Sequence, residues 1–125
     1  MAHSIKITVG EIELAAELND SETATRILSE LPIRSGFNTW GDEIYFQIPV
    51  TAQPEDPQET VEAGDLAYWP PGKAFCIFWG PTPASQGDEI RPASPVNPVG
   101  RVLSGVEALK TASREDEISI EKSDA

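Results

Sequence analysis

The chain has 125 residues and a mass of 13.5 kDa, with 9 basic and 21 acidic side chains, a formal net charge of −12 and a pI near 4.3. That length suits a single domain over 1–125, with its core over about 4–121 and a frayed tail at 122–125. So acidic a surface repels phosphate backbones, which argues against a nucleic-acid partner.

Cys76 is the only cysteine, so no internal disulfide can form, which fits a reducing compartment. Met1-Ala2-His3-Ser4 leads straight into a strand-like pattern without a visible signal peptide. The longest apolar run is far too short to span a bilayer. The expectation is a soluble cytoplasmic protein with no membrane partner.

Ile5, Ile7 and Val9 alternate with polar residues, and so do Ile12, Leu14, Ala16 and Leu18 beyond Gly10-Glu11. Period-two spacing on both sides of a Gly-X pair predicts a β-hairpin. Asn19-Asp20-Ser21 offers helix N-caps, and Glu22 sits where a helix dipole favours an anion. Ala24, Ile27, Leu28 and Leu31 then fall on one helical face, and Pro32 ends the helix. The stretch 33–50, IRSGFNTWGDEIYFQIPV, reads as a second hairpin turning at Gly41-Asp42. Residues 51–60 read as a polar loop.

The stretch 64–80, GDLAYWPPGKAFCIFWG, carries five of the nine aromatic residues. It predicts two strands around Pro70-Pro71-Gly72-Lys73, with Pro71 and Gly72 at the centre of a type II turn. Residues 80–98 hold five prolines and read as a long loop of the kind that is usually functional or disordered. A strand over 99–103, a short helical turn over 105–110 and a last strand around Ile118 and Ile120 complete the chain. Many short strands, Gly/Pro turns and one early helix indicate a mainly β barrel or sandwich.

His3 is the only histidine, in an expected mobile terminus, which removes Ser-His-Asp and Cys-His catalysis in ordinary form. One histidine and one cysteine make no zinc constellation, and no phosphate-binding glycine motif is present. No cofactor is implied. Cys76 lies in Ala74-Phe75-Cys76-Ile77-Phe78, where a thiol is a packed core group before it is a nucleophile. Asp42-Glu43 and Asp88-Glu89 stand beside turns. Adjacent strand residues point to opposite faces, so neither pair makes an acid/base dyad.

Three stretches together, NTWGDEIYF (38–46), the quoted 64–80 and ASPVNPVGRV (93–102), resemble the small prokaryotic cyclophilin-like domain proteins, whose role is unsettled. The resemblance runs from about residue 5 to about residue 121. It implies a closed cyclophilin-like β-barrel of about eight strands, with one main α-helix and a short second helix. True cyclophilins carry an aromatic-His-Arg triplet after the first helix. Here that region reads Ile33-Arg34-Ser35-Gly36-Phe37, so the catalytic arginine is not transferred to Arg34.

In 74–79, Phe75, Ile77 and Trp79 share one side, and Ala74, Cys76 and Phe78 the other. One set fills the barrel; the other needs a cover. That cover is the helix or the 80–98 loop, or else a partner, or a ligand in an aromatic cleft on the barrel wall. Cyclophilins bind peptides on such a wall. The expected floor is Trp40, Tyr45, Phe78 and Trp79, with Glu43, Arg91, Ser94 and Asn97 as orienting groups. The first reading is therefore a module that binds a small molecule or a Pro-containing peptide. The alternatives are a weak prolyl isomerase using Arg34 or Arg91 as donor, and a non-catalytic subunit of an amide-processing assembly. Homo-oligomerisation is compatible with the last.

Overall fold

The computed structural model describes residues 3–113 and 115–123. Strands β1 (His3–Val9) and β2 (Ile12–Leu18) form the predicted hairpin, with Ile7 opposite Leu14. Gly10 takes φ +59° at the turn. Ile5, Ile7, Val9, Leu14, Ala16 and Leu18 are buried, as the alternation requires. His3 is the first residue of β1 rather than part of a mobile terminus, with its ring 3.5 Å from the Asp20 carboxylate.

Helix α1 (Glu22–Ser29) starts from Ser21, whose Oγ accepts the Ala24 N–H at 3.1 Å. Ala24 and Ile27 are buried, and Leu28 and Leu31 pack against the same core. Glu55 supplies a second cap. Its carboxylate accepts the backbone N–H groups of Glu22 and Thr23 and the Thr23 hydroxyl, at 2.7–3.0 Å.

The expected second hairpin divides. β4 (Asn38–Thr39) and β5 (Glu43–Gln47) pair around Gly41, but β3 (Ile33–Ser35) leaves them. It pairs with β9 (Ile118–Lys122), which also pairs with β1. β6 (Asp65–Trp69) and β7 (Ala74–Phe78) form the aromatic hairpin, and β8 (Asn97–Val102) joins β6 to β2. The result is one antiparallel sheet in the order β3-β9-β1-β2-β8-β6-β7-β5-β4.

β3 and β4 are thus the two edges of the sheet, yet only Gly36-Phe37 separates them in the chain. A link of that length reaches roughly 10 Å. The sheet must therefore curl far enough to bring the adjoining ends of these two strands within that distance. It remains an open half-barrel, not the closed barrel of about eight strands that the resemblance implies. The edge strands have three and two residues. Phe37 turns into the core between them, so the link crosses the gap without reversing into a ladder.

Three local expectations are corrected. The Pro70–Gly72 segment is a 3₁₀ turn, and Lys73, not Gly72, takes the positive φ, +50°. β8 begins at Asn97, inside the stretch read as loop. It admits Pro98 where its register with β6 shifts, and a missing N–H is tolerated at such a bulge. Lys122 belongs to β9, and the Ser123 N–H bonds to the Ser4 carbonyl at 3.0 Å. Residues 124–125 of the expected tail lie outside the described residues. The short second helix is present as a 3₁₀ helix, Val106–Thr111.

Both faces of the sheet are apolar. The concave side holds the main core, with Ile5, Leu18, Ile27, Tyr68, Phe75, Ile77 and Ile118 among its fully buried members. The outer side holds a smaller cluster of Ala67, Ala74, Cys76, Phe78, Ile90 and Val96. Among the described residues no helix is long and apolar enough to cross a membrane.

Candidate functional site: a cleft on the outer wall

The chain between β7 and β8 lies across the outer cluster and is stitched down. Val61 donates its N–H to the Ile90 carbonyl at 2.9 Å, and Gln58 and Val96 exchange backbone bonds. Thr82 organises the loop: its N–H donates to Ser85 Oγ at 2.9 Å and its hydroxyl to the Arg91 carbonyl. The β4–β5 turn docks on the loop's start, with the Asp42 N–H donating to Pro81 O at 3.0 Å.

A cleft of roughly 260 Å³ lies between this loop and the sheet. On the sheet side stand Glu43 and Tyr45 of β5, Cys76 of β7 and Trp69 at the end of β6. Trp40 comes from the hairpin turn, and Pro92, Ala93 and Val96 from the loop. Strand parity explains the selection. Ile44 and Phe46 are committed to the main core, so Glu43 and Tyr45 must face outward. Across the ladder, Glu43 lies opposite Phe78, and Tyr45 opposite Cys76.

Glu43 is the chemically unusual member. The residue is 5% exposed. Burial raises its carboxyl from an ordinary 4.5 to about 7, against a smaller opposite pull from a hydrogen bond to Cys76. No cationic side chain among the described residues forms an ion pair with it. The Cys76 thiol is pushed well above its ordinary value, first by burial and then by the neighbouring carboxylate. It is therefore protonated at neutral pH and unsuited to nucleophilic attack.

Trp69 is held from two sides. Its Nε1–H donates to Ser94 Oγ at 2.7 Å, and its ring lies against Gly72. These contacts fix the position of the indole on the cleft wall.

Of the residues expected at the site, Trp40, Glu43 and Tyr45 line the cleft together. Ser94 supports it through Trp69. Phe78 is fully buried in the outer cluster and is not among the lining residues. Trp79 has the other parity and packs against the main core, where its Nε1 has no acceptor among the described residues. Arg91 does not line the cleft. Its guanidinium bonds Glu89 at 2.7 and 3.2 Å, while the following Pro92 and Ala93 do line it. Asn97 ties the 53–55 segment to α1: its Nδ2 donates to Thr23 Oγ1 and Gln53 O, and its Oδ1 accepts the Glu55 N–H. Arg34 sits on the edge strand β3, paired with Glu117 at 2.9 Å.

Sequence reasoning missed Trp69 and the Pro92-Ala93 wall. The parity that sets Trp69 beside Ala67 was a usable signal for the first. Nothing in the sequence marked the second, because it depends on where the loop crosses the sheet. Among the described residues, no group of three or more His, Cys, Asp or Glu gathers to hold a metal ion.

A mostly apolar cleft with one carboxyl that titrates near neutrality can hold a small ligand. When ionised, the carboxyl pairs with a cation; when protonated, it donates to an acceptor.

The chain matches the family model described as Cyclophilin-like over residues 3–121. It is also similar to the hypothetical protein AF2241 from Archaeoglobus fulgidus, known from a solution structure. The two are 40% identical over 98% of this chain and 95% of that one, with a TM-score of 0.83. No curated protein matches the chain.

Proposed function

The chain belongs to the cyclophilin-like family, and from that premise we propose that it is a binding module, holding a small molecule or short peptide segment in the outer-wall cleft without covalent chemistry. The fold alone does not carry this reading, since one fold hosts many functions. Glu43 does. A carboxyl buried in an aromatic wall without a cationic partner opposes stability at neutral pH, and such perturbed groups concentrate at functional sites.

The isomerase reading lacks comparable support. It needs a donor to the prolyl nitrogen, and both Arg34 and Arg91 are engaged by carboxylates and absent from the cleft. The assembly reading rested on an uncovered apolar wall, and the loop covers most of that wall.

The test is two-dimensional NMR of the three indole N–H signals during addition of a fragment pool that includes Xaa-Pro peptides. Trp40 and Trp69 should shift on binding while Trp79, on the opposite face, stays still and serves as the internal control. Shifts confined to Trp79, or none at all, would remove the cleft from consideration. Faster cis–trans exchange of the peptides would restore the isomerase.

A further inference from the structure

The cleft's chemistry narrows the ligand class, on the reading that the cleft binds a ligand at all. We infer that the occupant is a small tertiary or quaternary ammonium compound, with Glu43 as its counter-ion and the rings of Trp40, Tyr45 and Trp69 against its alkyl groups.

Three observations carry this. The first is charge. A carboxyl only 5% exposed in a mostly apolar cleft, with no basic side chain of the described residues paired to it, offers an uncompensated negative charge to a cation. The chain's net charge of −12 concentrates cations around the molecule and repels anions from the cleft.

The second is the wall. Two tryptophans and a tyrosine line the cleft, and the faces of such rings attract cations through their quadrupoles most strongly where water is excluded.

The third is the shortage of acceptors. A primary ammonium brings three N–H donors. The lining side chains offer as good acceptors only the two Glu43 carboxylate oxygens and the Tyr45 oxygen, so all three donors would have to aim at these two groups at once. Indole nitrogens only donate, and that of Trp69 is already committed to Ser94. A nitrogen with at most one N–H needs only the carboxylate. The volume of roughly 260 Å³ falls just under the usual range for ligand sites, so the substituents must be small.

The experiment compares choline, its uncharged carbon isostere 3,3-dimethyl-1-butanol, and ethanolamine, following the Trp40 and Trp69 indole signals near pH 8. Choline should bind about tenfold or more tightly than the isostere, and more tightly than ethanolamine. Glu43→Gln, close to isosteric, should erase the preference for choline over the isostere. As a measurement that needs no variant, choline affinity should rise from about pH 6 to about pH 8 as Glu43 ionises, while the isostere stays flat. From the packed elements the only other titratable side chain lining the cleft besides Tyr45 is Cys76 on β7, whose raised value keeps it neutral over that range. Equal or tighter binding of the isostere, or tightest binding of ethanolamine, would overturn the inference. If neither choline nor its isostere moves the indoles while uncharged aromatic probes do, the inference fails and the cleft reading stands. If nothing moves them, both fail.

Discussion

Gly72 lies directly under the Trp69 ring. A Cβ at position 72 would stand 2.6 Å from Cζ3 and 2.7 Å from Cε3. The glycine is needed for this approach, not for its φ, since the left-handed residue of the turn is Lys73. Gly72→Ala must push the indole away from the turn, and with it the Nε1–H bond to Ser94. Overpacking of this kind costs about 1–3 kcal/mol. Denaturant unfolding should show that loss, and the Trp69 indole signal should move most among the three. An alanine variant with native stability and an unmoved Trp69 would mean that the ring does not rest where it is described.

Glu43 should make the protein less stable as pH rises. Its folded-state value, about 7, exceeds the ordinary 4.5, so between those values the folded chain holds a proton that the unfolded chain has released. The contribution is fully present below about pH 4.5 and is lost as pH rises through 7, with a ceiling of roughly 3 kcal/mol. Glu43→Gln removes the titration. The variant should therefore gain on the wild type steadily from acid to mildly alkaline pH, as read by urea midpoints. Asp65, also raised by burial, acts in the same direction but is common to both proteins and cancels in the difference. A constant difference across the range would contradict the burial of Glu43.

Glu55 should matter more than its position in a polar loop suggests. Its carboxylate accepts two orphan N–H groups at the start of α1 and the Thr23 hydroxyl, and these bonds hold it below the usual carboxylate range. Glu55→Ala should cost about 1–2 kcal/mol, typical of losing a helix cap. Because its folded-state value is lowered, the penalty should be present at neutral pH and fade in acid. The melting temperatures of variant and wild type would then converge on acidification. A penalty independent of pH would mean that the carboxylate is not the capping group.

Trp79 carries the one buried side-chain donor without an acceptor among the described residues. An unsatisfied buried N–H costs about 1–3 kcal/mol, which Trp79→Phe would remove at the expense of a small cavity. The two effects oppose each other, so the phenylalanine variant should stay within about 1 kcal/mol of the wild type. Trp79→Ala should lose clearly more than the phenylalanine variant, because it also removes the half-buried ring packed against the main core. Equal, large losses in both variants would show that the indole nitrogen is engaged after all.

The sequence by itself determined the local elements, because those depend on near neighbours. Gly10 between two alternating runs made the first hairpin, Ser21 capped the helix, and the two parities of 74–79 required two apolar surfaces. It also pointed to Glu43, through an acidic residue set between Trp40 and Tyr45. What depended on distant partners was not legible. Ile33-Arg34-Ser35 and Asn38-Thr39 read as parts of one hairpin, and only the sheet order set them on opposite edges of an open half-barrel. Arg91 and Asn97 read as cleft groups, but Glu89 holds the first, and the second faces Thr23 and Gln53. Trp79 differs from Phe78 by one position, and the pleat sends the two rings to opposite faces of the sheet. Spacing fixes which side chains share a face. Which face becomes the interior, and which loop covers the other, is decided when the whole sheet curls and the 80–98 loop lies down across it.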